Sequence, residues 1–197
     1  RVLVFADAPH GQLQDNPLWS ERRVMAAEGH AAFVSPLSQV GFSVLPLTTF
    51  PAIVGHNADL PLEKGSPLSL ADALSQATLA VGLTEHSATA PLVGWAEAHS
   101  DFRAASLPGV VRRREQTALS ADYQEIVRRY HLLASKLEGA VAARVTFSTG
   151  HKWRVDLRHR EVKMDDGQLP RHKSDGPAIN LPSVVEIHDL SNCLNFK

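Results

Sequence analysis

The sequence predicts an α/β protein with a mainly parallel open sheet and flanking helices, followed by a small antiparallel β appendage. Short apolar runs of strand length, such as RVLVFAD at residues 1–7, alternate with helical segments along the first part of the chain. Connections long enough to hold a helix are typical of parallel neighbours joined by right-handed crossovers. After Ala142 the pattern changes to alternating polar and apolar residues, which is typical of half-buried antiparallel strands.

The parallel sheet is predicted from four short apolar runs with strand composition, each bounded by glycine, proline or polar residues. Pro46 is expected to end the second run. Residues 49–69 follow it and are rich in Pro, Gly and Asn, so we expect a long surface loop there. The predicted strands are residues 1–7, 42–47, 78–84 and 102–107.

Helices are predicted between and after these strands. Asn16 and Pro17 supply an N-cap and a first helical residue, and Ser69 supplies the N-cap of the second helix. The clearest helix begins near Ser120, because apolar residues recur there at helical spacing up to Leu137 while charged residues take the other face. The predicted helices are residues 17–29, 70–77, 88–99 and 120–137.

The change of pattern places a domain boundary near Ala142. We therefore predict an α/β N-terminal domain over residues 1–142 and an antiparallel β segment within residues 143–197. An antiparallel hairpin is expected between Val145 and Met164, with Gly150 at a turn, and it should lie outside the parallel sheet.

Composition and charge exclude several classes of function. The 20 Lys and Arg residues balance the 21 Asp and Glu residues, so the overall charge favours neither nucleic acid nor an acidic membrane. The single cysteine, Cys193, leaves no internal disulfide and no cysteine-based zinc cage, which favours a reducing compartment. No apolar run approaches the roughly twenty residues of a membrane helix, and the first residues lack a signal-peptide pattern. We therefore expect a cytoplasmic protein without nucleic-acid or membrane partners.

The ten histidines suggest a metal site, because imidazole is a common ligand for zinc and similar ions. No HExxH motif occurs, and the nearest local cluster is Glu186 with His188 and Asp189. In an extended segment Glu186 and His188 share a face and supply two metal ligands. The alternative is an exposed polar tail, which is favoured because no partner cluster accompanies the pair.

Three other groups have both a functional and a structural explanation. Asp165 and Asp166 before Gly167 suit a cation, but they also suit a turn. The basic run of residues 112–114 suits a phosphate, but it also suits solvated surface. Ser87 beside His86 suggests a nucleophile and base, but adjacent residues seldom face each other and no GxSxG motif surrounds them, so helix capping is favoured. No nucleotide-binding glycine motif is present.

Six segments that follow one another along the chain carry a resemblance to a known family. They are VLVFAD, AVGLTEHSATAP, FRAASLPGV, LSADYQEIVRRYHLLASKL, VTFSTGHKWRVDLRHR with DDG, and INLPS, and together they span most of residues 1–183. The combination, in this order, resembles the N-terminal region of the aminopeptidase T-type metallopeptidases, the thermophilic leucyl aminopeptidase family. SLPG, the ADY helix and NLPS are specific as a set, whereas each alone is weak.

The resemblance implies an α/β N-terminal domain, a homodimer and two divalent metal ions held by a C-terminal domain, which would begin within residues 143–197. The ions would be zinc, cobalt or manganese, and the substrate a peptide. In the family NLPS is followed by Gly and a metal-binding Glu, whereas Val184 and Val185 follow it in this chain and Glu186 is the nearest carboxylate. The family's further ligands, two histidines and downstream carboxylates, have no room before Lys197.

Three functions are consistent with this resemblance. The first is a metal-dependent aminopeptidase that releases N-terminal residues from peptides by metal-activated water. The second keeps the fold but uses a single iron for ring-opening oxygen chemistry. The third is a binding or assembly module that has lost the metal centre, which the altered NLPSVVE segment favours.

Overall fold

The computed structural model describes residues 1–11, 13–159, 162–164, 167, 169, 178–180 and 185–187. The helices are α1 (Pro17–Gln39), α2 (Leu70–Gln76), α3 (Thr89–Ala98) and α4 (Tyr123–Leu137), with short 3₁₀ turns at Arg112–Arg114 and Ala118–Ser120. The strands are β1 (Val2–Ala8), β2 (Thr48–Pro51), β3 (Leu79–Leu83), β4 (Arg103–Ser106), β5 (Ala142–Thr146), β6 (Lys152–Asp156), β7 (Val162–Met164), β8 (Ala178–Asn180) and β9 (Val185–Ile187).

Five strands form a parallel sheet in the order β2-β1-β3-β4-β8. β1 lies between β2 and β3, with Phe5 opposite Thr48 on one side and Gly82 on the other. A side chain at Gly82 would collide with the Phe5 ring, so the glycine allows this ring to lie across the sheet. The predicted fold class is confirmed.

Helices cover both faces of the sheet. Successive residues of β1 point to opposite faces, so they belong to two different clusters. Leu3 and Phe5 belong to a cluster with residues of α2 and α3, whereas Val4 and Ala6 belong to a cluster with residues of α1. Both faces are therefore buried, which explains why β1 is apolar throughout rather than alternating.

The antiparallel strands are separate from the parallel sheet. β5 pairs with β6, and β7 pairs with β9. The hairpin predicted between Val145 and Met164 is present as β5 and β6 over residues 142–156, whereas Met164 lies in β7, which pairs with β9.

The chain packs as two compact units. Unit 1 comprises Arg1–Ser120 and Gly167–Ser183, and unit 2 comprises Ala121–Asp166 and Val184–Lys197. This division falls earlier than the boundary predicted near Ala142, because α4 contacts β7 and belongs to unit 2. The chain also returns to unit 1 through β8, which pairs with β4.

Two predicted elements have different limits in the structure. The first helix does not stop near Gly29 but continues through Pro36 to Gln39. The second strand is not formed by residues 42–47, where Val44 makes an isolated bridge to Val2, but by Thr48–Pro51. Pro46 lacks the amide that a continued ladder requires, and pairing with Phe5 to Ala8 of β1 sets the strand's position instead.

Within the described ranges, no helix combines the length and the apolar character that crossing a bilayer requires.

Candidate functional site

The strand order creates a reversal point at the carboxyl edge of the sheet. The chain leaves β1 for β2 on one side and later returns to β3 on the other side. Open α/β sheets bind ligands outside the carboxyl ends of the strands at such a point. We therefore describe the residues at the ends of β1 and β3 as the candidate site.

Asp7 near the end of β1 is a fully buried polar group at this edge. Its Oδ1 accepts a hydrogen bond from the Trp19 indole at 2.8 Å, and its Oδ2 accepts one from the backbone amide of Glu85 at 2.9 Å. Burial raises the pKa of the Asp7 carboxyl above its ordinary value, although both hydrogen bonds and the Arg22 charge oppose this effect. Asp7 thus joins α1 to the segment that follows β3.

Arg22 of α1 extends the same connection to the segment after β4. Its side chain is 3% exposed and forms an ion pair with the Glu85 carboxylate. The Arg22 Nε donates to the Val110 carbonyl oxygen at 2.9 Å. A buried guanidinium is costly unless its donors are satisfied, and these two partners supply the compensation. We call Asp7, Trp19, Arg22 and Glu85 the switch-point cluster.

The hydrogen bonds of the switch-point cluster determine what it can do chemically. Both Asp7 oxygens already accept from fixed donors, so this carboxylate acts as an anchor. The Glu85 side chain is 31% exposed and is the member of the cluster that a ligand at this edge would meet. Its pairing with Arg22 keeps it oriented.

A second group at the same edge consists of His56, Asn57, His86 and Ser87. The Ser87 amide donates to His56 Nδ1 at 3.0 Å, and Asn57 Oδ1 accepts from the Ser87 hydroxyl and the Ala90 amide at 3.1 Å each. The Ser87 hydroxyl in turn accepts from the Thr89 amide at 3.3 Å. Ser87 and Asn57 therefore accept hydrogen bonds from amides in the first turn of α3. The N-cap residue itself is Ala88, which makes no side-chain cap hydrogen bond, so the prediction of Ser87 as the capping residue is wrong.

His86 precedes Ser87 in the chain, but its ring takes no part in the hydrogen bonds at the start of α3. Its ring stands edge-on to the His56 ring with 5.1 Å between centroids. The His86 Nδ1 atom is buried and has no hydrogen-bond partner among the described residues. Since the Ser87 hydroxyl bonds Asn57 and Thr89 instead, His86 and Ser87 do not form a nucleophile and base pair.

The two predicted metal ligands fall in the last part of the chain. Glu186 lies in β9, in register opposite Lys163 of β7. His188 lies outside the described residues. Their role as ligands stays a prediction. Within the described ranges, no three His, Cys, Asp or Glu side chains are arranged to hold a metal ion.

Two further groups were predicted, the basic run of residues 112–114 and the pair Asp165 and Asp166, and the structure describes only the first. Arg112 forms ion pairs with Glu28, Glu21 and Glu115, as expected of a solvated surface. Asp165 and Asp166 lie outside the described residues.

Sequence reasoning missed the switch-point cluster. One signal was available, since Asp7 is a carboxylate that ends an apolar run predicted to be a central strand. The pairing of Asp7 with Glu85 joins residues 78 positions apart, and no local pattern reports such a contact.

The strand order defines an open α/β protein whose strand order reverses at β1. Comparison of the chain with protein families, with curated proteins and with solved structures finds no match.

Proposed function

We propose that the protein is a metal-dependent hydrolase of aminopeptidase type. The proposal originates in the six segments that resemble the aminopeptidase T-type metallopeptidases. It is supported by one structural observation: three of those segments, VLVFAD, AVGLTEHSATAP and FRAASLPGV, meet at the carboxyl edge of the sheet. Asp7 binds the amide of Glu85, Arg22 links Glu85 to Val110, and the Gly109 amide donates to the Thr84 carbonyl at 2.8 Å.

Glu186 and His188 are the metal ligands that this proposal assigns to the chain. A carboxylate and an imidazole suit zinc, cobalt or manganese, so the donor types fit. Catalytic zinc sites normally use about three protein ligands, so further groups must complete the site. When bound, such an ion activates a water molecule and polarises a peptide carbonyl.

In this proposal the switch-point cluster would hold the edge of the parallel sheet in a fixed conformation. The switch-point cluster orders the segments after β1, β3 and β4, and the partly exposed Glu85 carboxylate lies where open α/β sheets receive ligands. The resemblance also implies a homodimer, and the single cysteine agrees with a cytoplasmic location.

The proposal is tested with purified protein, short peptides and added zinc, cobalt or manganese. We expect release of N-terminal residues from free peptides but not from N-acetylated ones, and loss of activity with a chelator. Glu186→Gln should lower kcat/KM by at least about 100-fold, since losing even an outer-shell partner of a metal ligand typically costs about 10–100-fold. Glu97→Gln on the exposed side of α3 is the control and should leave it unchanged.

Peptide release that a chelator does not affect would contradict the proposal. Iron-dependent oxygen uptake with an aromatic substrate would favour the ring-opening alternative instead. A binding or assembly module is the second candidate, because Val184 and Val185 replace the family's Gly and Glu after NLPS. The absence of both activities, together with no metal bound in elemental analysis, would favour that module.

A further inference from the structure

The hairpin formed by β5 and β6 has two unlike faces. Residues alternate between the faces of a strand, and directly paired residues share a face. One face, the cationic hairpin face, is formed by Ala142, Arg144, Thr146, Lys152, Arg154 and Asp156. The other, the apolar hairpin face, is formed by Ala143, Val145, Trp153 and Val155. A strand that extends this hairpin therefore needs polar side chains on one face and apolar side chains on the other.

The outer edge of β6 offers backbone hydrogen-bonding groups. The Phe147 amide donates to the carbonyl oxygen of His151, directly opposite, at 2.9 Å. Odd-numbered residues are therefore the hydrogen-bonded pairs of this ladder, and the amides and carbonyls of Lys152 and Arg154 point away from β5. Both residues are exposed, and within the described part of the chain β6 pairs with β5 alone. The outer edge of β6 can thus accept a further strand.

The cationic hairpin face carries an excess of positive charge. Arg144 lies opposite Arg154 in a non-hydrogen-bonded pair, where side chains approach most closely and like charges are destabilising. Within the described ranges, no carboxylate forms a salt bridge with Arg144, Lys152 or Arg154. The Asp156 carboxylate, at the end of this face, is bound by the Arg158 guanidinium at 2.6 Å. The two cations of β6 are therefore available to acidic groups from outside.

The open edge and the charge together favour an acidic peptide as the partner. Charged side chains on an edge strand restrict what can pair with it. A second copy of β6, fully aligned and antiparallel, would place the two Arg154 side chains opposite each other, which is unfavourable. A nucleic acid backbone has no amides to continue the ladder, and Trp153 points to the other face, where it cannot stack on bases held by the cations. An extended acidic peptide supplies both the ladder and the charge.

We propose that the outer edge of β6 binds an extended peptide segment, in which acidic and apolar residues alternate, as a third strand. Its acidic side chains lie opposite Lys152 and Arg154, since alternate side chains are about 6.8 Å apart in both strands. Its apolar side chains lie beside Trp153 and extend the apolar hairpin face. A third strand also stabilises the hairpin, because two strands alone are at best marginally stable in water. The inference goes beyond the proposed function and depends on neither metal nor catalysis.

Calorimetric titration of the whole chain with a short peptide of alternating glutamate and valine tests the proposal. The peptide is N-acetylated and C-amidated, so an aminopeptidase does not degrade it. We expect binding that weakens with added salt. A peptide of the same composition with its glutamates grouped together should bind at least about fivefold more weakly, because its charges cannot all face β6.

Methylation of the peptide's backbone amides separates strand addition from simple charge attraction. The amides of glutamates opposite Lys152 and Arg154 face β6, whereas the amides of the valines point away from it. N-methylation of the glutamate amides should therefore abolish binding, and N-methylation of the valine amides is the matched control. Hydrogen exchange at the Lys152 and Arg154 amides should slow when the unmodified peptide binds.

Charge reversal on the protein supplies the second arm. Arg154→Glu should weaken binding at least about fivefold, because it places a negative charge opposite a glutamate of the peptide. The hairpin should stay folded in this variant, since the change replaces a like-charge pair with Arg144 by an opposite-charge pair. Arg113→Glu, at an exposed position of unit 1, makes the same change in net charge and should alter the affinity by less than about twofold.

Five results would each overturn the proposal. They are no binding of the alternating peptide, equal binding of the grouped peptide, binding retained after methylation of the glutamate amides, equal effects of Arg154→Glu and Arg113→Glu, and tighter binding of single-stranded DNA than of the alternating peptide.

Discussion

Asp7 is a buried acceptor with two different donors. Trp19 comes from α1 and the Glu85 amide comes from the end of β3, so one carboxylate fixes both segments. A carboxylate suits this position because both of its oxygens accept, whereas an amide offers one acceptor and one donor group.

Replacement of Asp7 by asparagine is therefore predicted to destabilise unit 1. The amide nitrogen must face either the Trp19 indole or the Glu85 backbone amide, so one buried donor loses its partner. An unsatisfied buried donor costs about 1–3 kcal/mol, and urea unfolding at neutral pH measures it. Asp59→Asn, at an exposed position, is the control and should change stability by less than about 0.5 kcal/mol. An Asp7→Asn variant as stable as the wild type would refute the anchoring role.

The same substitution should alter the pH dependence of unfolding. Since burial raises the pKa of Asp7, the folded state retains this proton to a higher pH than the unfolded chain does. The corresponding contribution to stability is present in full below the unfolded value of 3.8 and is lost as the pH rises through the raised folded value. The asparagine cannot titrate, so the unfolding free energy of Asp7→Asn should lack the pH dependence that Asp7 gives to the wild type, and urea unfolding at several pH values measures it.

Among the elements, α4 depends on charge more than on burial. Asp122 caps it by accepting from the Gln124 and Glu125 amides, and no residue of the helix is buried. Hydrogen bonds from Arg128 and Arg129 lower the pKa of Glu125 from 4.5 to about 2. Because none of its residues is buried, this helix depends mainly on its N-cap and its ion pairs for stability.

The stability of α4 is predicted to fall in acid because of Glu125. A lowered folded pKa gives stability that is present above about 4.5 and is lost as the pH falls towards 2. Glu125→Gln should remove that dependence, and added salt should weaken it in the wild type. Helical circular dichroism against pH measures it. Glu138→Gln is the control and should leave the acid dependence of the helix in place, because a negative charge at the C-cap does not stabilise the helix dipole.

The order of helices and strands up to β6 could be predicted because each depends on local pattern, whereas the pairing of β8 with β4 and of β7 with β9 was not predicted. The limits of α1 and β2 could not be predicted. Residues 42–47 have strand composition, yet the strand is Thr48–Pro51, since pairing with β1 decides the position and Pro46 cannot donate. Pro36 lies within α1, although proline normally ends a helix.

At the scale of the whole molecule, the candidate site depends on contacts between distant segments. Arg22 contacts Glu85 and Val110, which are 63 and 88 positions away. Such pairs follow from the strand order, in which β3 lies beside β1 and β4 lies beside β3, on the side of β1 opposite β2. The alternation of elements predicts parallel strands, but it does not predict their order or which charges meet at their ends.

The two units are predicted to differ in stability. Unit 1 has apolar clusters on both faces of its sheet, whereas in unit 2 the described residues of α4, β5 and β6 are exposed or half-buried. Amides in β1 and β3 should therefore exchange hydrogen at least about 100-fold more slowly than those in α4 and the hairpin, measured at a low protein concentration.

Matched leucine substitutions test whether this difference follows from burial. Leu92 of α3 is fully buried, and its replacement by alanine should cost about 2–5 kcal/mol. Leu92→Ala should accelerate exchange in β1 and β3 but not in α4, because the affected core belongs to unit 1. Leu132→Ala, at a position 51% exposed on α4, should leave β1 and β3 unchanged. Equal acceleration of both units by Leu92→Ala would mean that they unfold together, since a single cooperative transition transmits a core defect to every amide that it protects.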